Sequence, residues 1–256
     1  MKFHEWCEFK KKLVNGHDLN LLLLQDEKFI TACKLVAEIV PSHYASPERI
    51  AIILESLGKK KSSAYLREKL PQKPKIRSGD LGEILATQYI DECTAYKTPI
   101  KRLRWKDHRE MSMRGDDVIG IAPPDGGAPV KFLKSEVKSR LSLSTNVVEE
   151  ARQALNDGGG LPTPHALAFI ADRLHETGQE LLADVISSAQ LRDGISVDQV
   201  QHLLFTVSGN APDAFLKKDL ESYDGPIQQN AVGLRVTKHQ EFIGAVYEMV
   251  EADHES

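Results

Sequence analysis

Between residues 26 and 57 the apolar positions Phe29, Ile30, Cys33, Leu35, Val36, Ile39 and Val40, then Ile50, Ile52, Ile53, Leu54 and Leu57, recur every three or four residues. That is the period of a helix burying one face, so two amphipathic helices are expected. Pro41 is expected to break the first, because proline lacks the N–H and clashes with the preceding turn. Ser46-Pro47-Glu48 offers the second a cap and a proline at its first position, and Gly58 ends it. A basic connection containing Pro71 and Pro74 follows. It suggests a boundary between a helical N-terminal region, residues 1–75, and a second domain, residues 76–256.

Beyond it, Ser78-Gly79-Asp80 opens a helix whose inward stripe is Leu81, Ile84, Leu85, Gln88 and Tyr89, with Glu83 between its members. Residues 100–105 and 118–121 read as strands, and 130–143 contains the next. Asp125-Gly126-Gly127 supplies a turn between the last two, which makes them an antiparallel pair. Residues 144–156 form an amphipathic helix capped by Ser144 or Thr145 and stopped by Gly158-Gly159-Gly160. A helical pattern spans 164–188, although 166–171 is apolar enough for a buried strand. Residues 202–207 and 232–236 read as strands and 238–250 as a closing helix, with an acidic, frayed tail over 248–256. The order is that of an α/β or α+β domain.

Composition is that of an ordinary globular chain, but charge is not evenly spread. Residues 59–114 carry +8 and the remainder −12, which gives the net −4. A basic middle in an acidic chain suggests a polyanion partner on one surface. Lys101, Arg102, Arg104, Lys106, Arg109, Arg114 and Arg140, with Trp105, are the candidate DNA-backbone contacts. Cys7, Cys33 and Cys93 are too sparse for a disulfide framework or a thiolate zinc site, and the nine histidines show no zinc-hydrolase spacing. His202 and His239 are expected to be structural or surface residues. The longest apolar run, residues 21–24, is far too short to span a bilayer, and the N-terminus lacks a signal-peptide pattern, so a cytoplasmic location is expected.

The chemistry concentrates in residues 131–140. In a strand, Lys134, Glu136, Lys138 and Arg140 share one face, with Leu133 and Val137 on the other. If Asp117 ends a neighbouring strand, two carboxylates and an ammonium converge, which suits a divalent cation and an activated water. Glu-x-Lys alone is uninformative, because alternating charge on a strand face is common. The order is more telling: an acid-bearing helix, a Gly-x-Asp before a strand, a turn, then Glu-x-Lys.

Glu83 within Gly79–Ile84, the Gly115-Asp116-Asp117-Val118-Ile119 segment and Glu136-Val137-Lys138 resemble the core of the PD-(D/E)xK nuclease superfamily. More narrowly, residues 75–250 resemble the HamA family, the nuclease subunits of Hachiman anti-phage defence systems, notably over residues 79–84, 113–121 and 135–140. The resemblance implies a restriction-endonuclease-like central mixed sheet flanked by helices and Mg²⁺- or Mn²⁺-dependent DNA cleavage. It also implies a superfamily-2 helicase partner, a HamB-like subunit, that restrains and releases the nuclease. Asp117 and Glu136 would hold the metal with the Val137 backbone carbonyl, Lys138 would assist at the scissile phosphate, and Glu83 would help bind a second cation. The superfamily often has proline before its first acid; here Asp116 stands there, leaving Asp116 or Asp117 as the ligand, with Asp117 preferred. Arg152 and Gln153 lie where a further polar contact is often found. The alternatives are a catalytically inactive nucleic-acid-binding or adaptor subunit, and a repair or housekeeping nuclease.

Overall fold

In the computed structural model, which describes residues 1–253, a six-stranded mixed sheet carries the molecule in the order β1-β2-β6-β5-β4-β3. The strands are β1 (Cys7–Val14), β2 (His17–Leu24), β3 (Val118–Ala122), β4 (Lys131–Arg140), β5 (Val200–Ser208) and β6 (Gln228–Arg235). β4, β5, β6 and β2 run parallel to one another, and the two edges, β1 and β3, are antiparallel to their neighbours. Helices cover both faces, as a largely parallel sheet requires. No helix among the described residues is long and apolar enough to cross a membrane.

On one face lie α1 (Phe29–Tyr44), α4 (Pro74–Cys93) and α9 (His239–Asp253). They bury Val36, Leu81, Leu85 and Val246 against Leu133, Val137, Phe205 and Leu234 of the sheet. The other face is covered by α5 (Thr145–Asn156) and α8 (Asp213–Ser222) around Leu155, Leu204 and Leu216. α6 (Pro164–Glu176) and α7 (Glu180–Ser188) pack over Ile119, Ile121 and Phe132 at the β3 end. Residues 166–171 are therefore helical.

Four expectations need correction. First, the N-terminal region is not simply helical. Residues 7–24 form a hairpin joined at Asn15-Gly16, both at positive φ, and β2 pairs with β6, so the first 75 residues do not stand apart from the sheet. β1 is a solvated edge strand bearing Lys10, Lys11 and Lys12, which blunt it against further pairing. Second, Pro41 does not end α1. It sits in the last turn, where one backbone bond is forgone, while Val36, Val40 and Tyr44 hold the helix in the core. Third, the basic connection is itself largely helical. α2 (Pro47–Leu57) and α3 (Lys59–Lys69) meet at Gly58, and α4 begins at Pro74, a proline at its first position, ahead of the expected Ser78. Fourth, Arg102–Trp105 is a 3-10 turn instead of a strand, because its basic side chains reach partners on three sides, described below. Residues 248–253 continue α9, and the rest of the expected acidic tail, 254–256, lies outside the described residues.

α4 approaches the sheet most closely at Gly82. A Cβ there would lie 3.0 Å from Val137 Cγ1 and 3.3 Å from Ser139 Cβ. This contact sets how closely α4, which carries Glu83, lies against β4. Gly82→Ala is expected to cost about 1–3 kcal/mol by overpacking. Urea denaturation would measure it, and Gly79→Ala, where a Cβ meets nothing within 4 Å, is the control.

Candidate functional site

β3 pairs with β4 only from Val118↔Ser135 to Ala122↔Lys131, so β4 continues past the end of its neighbour from Glu136 onward. Asp117 stands at that open end. Its Oδ2 accepts a hydrogen bond from the Val137 N–H at 2.8 Å, replacing the strand bond that β3 no longer provides. Glu136 projects from the face opposite Val137, and the Lys138 ammonium donates to its Oε1 at 2.6 Å, both side chains being largely buried. Glu83 reaches the same region from α4. Arg102 Nε donates to Glu83 Oε2 at 3.0 Å, and its Nη2 lies 4.0 Å from Asp117 Oδ1. The same guanidinium donates to the backbone carbonyls of Asp116 and Met113. One arginine thus ties α4 to the loop leading into β3.

The electrostatics follow from this crowding. Burial pushes the Glu136 carboxyl up to about 7; the nearby Asp117 charge adds to the rise and Lys138 opposes it. Burial pushes Glu83 up to about 8, opposed by Arg102 and reinforced by Asp117 and Asp80. Asp117 is raised by burial too, against Arg102, the Val137 N–H and Lys138. Asp117 therefore interacts with both of the other acids, and all three bind protons more readily than free carboxyls because burial outweighs the local positive charge.

Asp116 has a different position. Its Oδ2 accepts from the Thr163 N–H at 2.7 Å and from Thr163 Oγ1 at 2.9 Å, while Oδ1 faces Lys134 Nζ at 3.8 Å. Lys134 in turn donates to the carbonyls of Leu155 and Asp157, both at 3.0 Å, where α5 ends. Asp116 thereby joins the end of α5 to the start of α6. Asp117 is the acid of the pair left toward Glu136.

Among the described residues, no three His, Cys, Asp or Glu side chains form a ready metal cluster. Arg102 stands at Glu83 and Lys138 at Glu136 instead. The donor set nonetheless fits a hard cation. Glu136 Oε2 receives no hydrogen bond among the described residues, Asp117 Oδ1 has only the distant Arg102, and both belong to carboxylates crowded by like charge.

The expected DNA-backbone contacts are not one exposed patch. Lys106 is buried, its Nζ 2.6 Å from Asp80 Oδ2, and Arg102 is taken by Glu83. Lys101 Nζ donates to Ser42 Oγ at 2.8 Å, and Arg104 Nε to the Ser42 carbonyl at 2.9 Å. Arg109 is partly engaged with Glu110 and the Arg67 carbonyl, while Arg114 and Arg140 are exposed. Trp105 packs edge-to-face on Phe169. Lys101, Arg102, Arg104 and Lys106 are thus engaged with groups inside the chain, whereas Lys59, Lys60, Lys61, Lys73, Lys75 and Arg114 carry the segment's exposed positive charge.

Arg152 is also directed elsewhere. It grips Asp219 through two bonds, 3.0 and 2.7 Å, and Gln229, which contacts His202, whereas Gln153 is exposed. His202 and His239 are buried structural residues, one on the Gly160 carbonyl at 2.8 Å and the other 3.0 Å from Ser139 Oγ. Sequence reasoning missed the role of Asp80. It lies one turn before Glu83 on the same helix face, and its Oδ2 also accepts from Tyr44 at 2.8 Å. The i, i+3 spacing of the two acids was the available signal.

Two outcomes are expected. Lys106→Ala leaves Asp80 buried without a counter-ion, and the loss should be about 3–5 kcal/mol in urea denaturation, with little direct effect on DNA affinity. For Glu136 and Glu83, folding raises the proton affinity, so the folded state binds more protons than the unfolded one between about pH 4.5 and 8. Their contribution is therefore fully present below pH 4.5 and is lost as pH rises toward 7 and 8. With a chelator present, Glu136→Gln should flatten the fall between pH 4.5 and 7. An unchanged profile would show that Glu136 titrates like a free carboxyl.

Over 153 residues the chain is 31% identical to the Hachiman protein HamA of Bacillus cereus, a match covering 59% of this chain and 53% of that protein, so the chain aligns with about half of its relative. The HamA family model matches residues 1–250, which includes the N-terminal hairpin as well as the acid-bearing segments. The chain belongs to the HamA family.

Proposed function

We propose that the chain is a divalent-cation-dependent DNA endonuclease and the effector of an antiviral Hachiman-type defence complex. The observation that carries the nuclease reading is the meeting of Asp117, Glu136 and Lys138 where β4 outruns β3, with Glu83 joined to Asp117 through Arg102. Asp117 and Glu136 would hold Mg²⁺ or Mn²⁺, with the Val137 backbone carbonyl as a further oxygen ligand. When bound, the cation would polarise the scissile phosphate and lower the pKa of a water. Lys138, beside Glu136, would steady that water and offset charge developing on the phosphate. Glu83, tied to Arg102, would hold the Asp117 loop and contribute to a second cation only if that pair opens.

Family membership supports the defence role, and the resemblance of the acid-bearing segments implies a superfamily-2, HamB-like helicase partner that would restrain the nuclease. The adaptor reading rests on the basic segment, and it is weakened to the extent that Lys101, Arg102, Arg104 and Lys106 are turned inward to partners within the chain.

Plasmid and circular single-stranded DNA incubated with Mg²⁺, with and without the helicase, test cleavage, and calorimetric titration with Mn²⁺ tests the site independently of activation. Asp117→Asn and Glu136→Gln should abolish both cleavage and cation binding. Lys138→Ala should keep cation binding and lose about 10²–10³ in rate. A Glu136→Ala, Lys138→Ala double variant that cuts like the parent protein would sink the assignment.

A further inference from the structure

A cavity of about 550 Å³ opens on the Glu83 side of Asp117, between the 3-10 turn at 102–105, the loop leading into β3, and α6. Glu83, Arg102 and Asp117 line one end. Trp105 and Phe169, half-buried, form an aromatic wall with their rings edge-to-face at 6.1 Å. The Arg173 guanidinium lies 5.9 and 5.5 Å from those rings, and the exposed Arg114 also borders the cavity. Glu136 and Lys138 are not among the lining residues, so the cavity adjoins the proposed cation site and shares only its Asp117 and Glu83 side.

We propose that this cavity receives one unstacked nucleobase of the strand being cut, which makes the substrate single-stranded DNA or an end whose last pair has opened. This rests on the nuclease reading above. The volume falls in the ordinary range of ligand pockets, about 300–1,000 Å³, and far below what a duplex would occupy. An aromatic wall suits a base of any identity, because every base offers a flat π-face. Arg114 at the border suits the backbone phosphate beside that base. A paired base could enter only by leaving its stack, whereas a base in a single strand is spared most of that cost. The continuity of the wall with Glu83 and Asp117 places the adjoining phosphate next to the acids, and an apolar peptide would leave that charged end unused.

The full chain carries two tryptophans, of which Trp6 is fully buried in the core and Trp105 lines the cavity. Titrating the protein with a ten-residue oligothymidylate in Ca²⁺ buffer, so that cutting is suppressed, should quench its tryptophan fluorescence, and a blunt duplex of equal length should not. Trp105→Phe should abolish the signal while retaining binding measured by anisotropy. Phe169→Ala should weaken the single strand about tenfold and leave duplex affinity unchanged. Phe169→Leu, which keeps the packing against α6, serves if the alanine variant unfolds, and the comparison of single strand with duplex needs no substitution. Equal quenching by both DNAs, or an unchanged affinity in both Phe169 variants, overturns the proposal. Absence of quenching by either DNA also overturns it. Mn²⁺ titration of the same preparation separates the two readings. Cation binding lost in Asp117→Asn without strand discrimination removes the cavity proposal alone. Strand discrimination without cation binding removes the nuclease reading and leaves a base-binding cavity.

Discussion

The contact of Arg102 with Glu83 and the Asp117 loop is the constraint around which the site is assembled. Two unit charges about 4 Å apart exchange roughly 4 kcal/mol at an effective dielectric of 20, comparable with a large part of a domain's net stability. Glu83, Asp117 and Glu136 are acids removed from water, and the Asp117 charge raises the proton affinity of the other two. A single guanidinium between Glu83 and Asp117, and one ammonium at Glu136, keep that concentration of charge compatible with folding. The pair is not a surface ornament, since Arg102 also donates to two backbone carbonyls and so fixes the loop itself.

The segment bearing Arg102 is secured by the side chains around it. Lys101 and Arg104 both reach Ser42 in the last turn of α1, and Lys106 enters α4 at Asp80, beneath the hydrogen-bonded pair Tyr44 and Tyr247. Basic residues that resemble a phosphate-binding face therefore act as short struts between two helices and the site. This explains why the region is a 3-10 turn. An extended strand would alternate its charges to opposite faces, whereas the turn sends neighbouring side chains to three separate partners.

Legibility in the sequence followed burial. β4, β5, β6, α5 and α9 have regular apolar periods because each buries one or both faces, and their positions were readable. β1 has only its two end residues buried, so it offers no alternation to read. Its Asn15-Gly16 turn was the usable sign, since a two-residue hairpin needs positive φ at both positions. The acids of the site were readable as a motif, but the partners of the bases were not. Charge reports how many groups need neutralising, and only the fold decides whether water, DNA or a buried carboxylate does it.

Asp116 and Asp117 show how narrow that decision is. Both leave the same loop, and one residue of backbone sends the first to Thr163 and Lys134 and the second to the Val137 N–H. The first joins the end of α5 to the start of α6, and the second faces the gap where β4 runs on alone. A shift of one position would exchange these destinations, burying the structural acid at the open edge and leaving Lys134 without its partner. The requirement to neutralise Lys134 therefore fixes the register that presents Asp117 beside Glu136. On the nuclease reading, the placement of the reactive acid depends on an ion pair that takes no part in the chemistry.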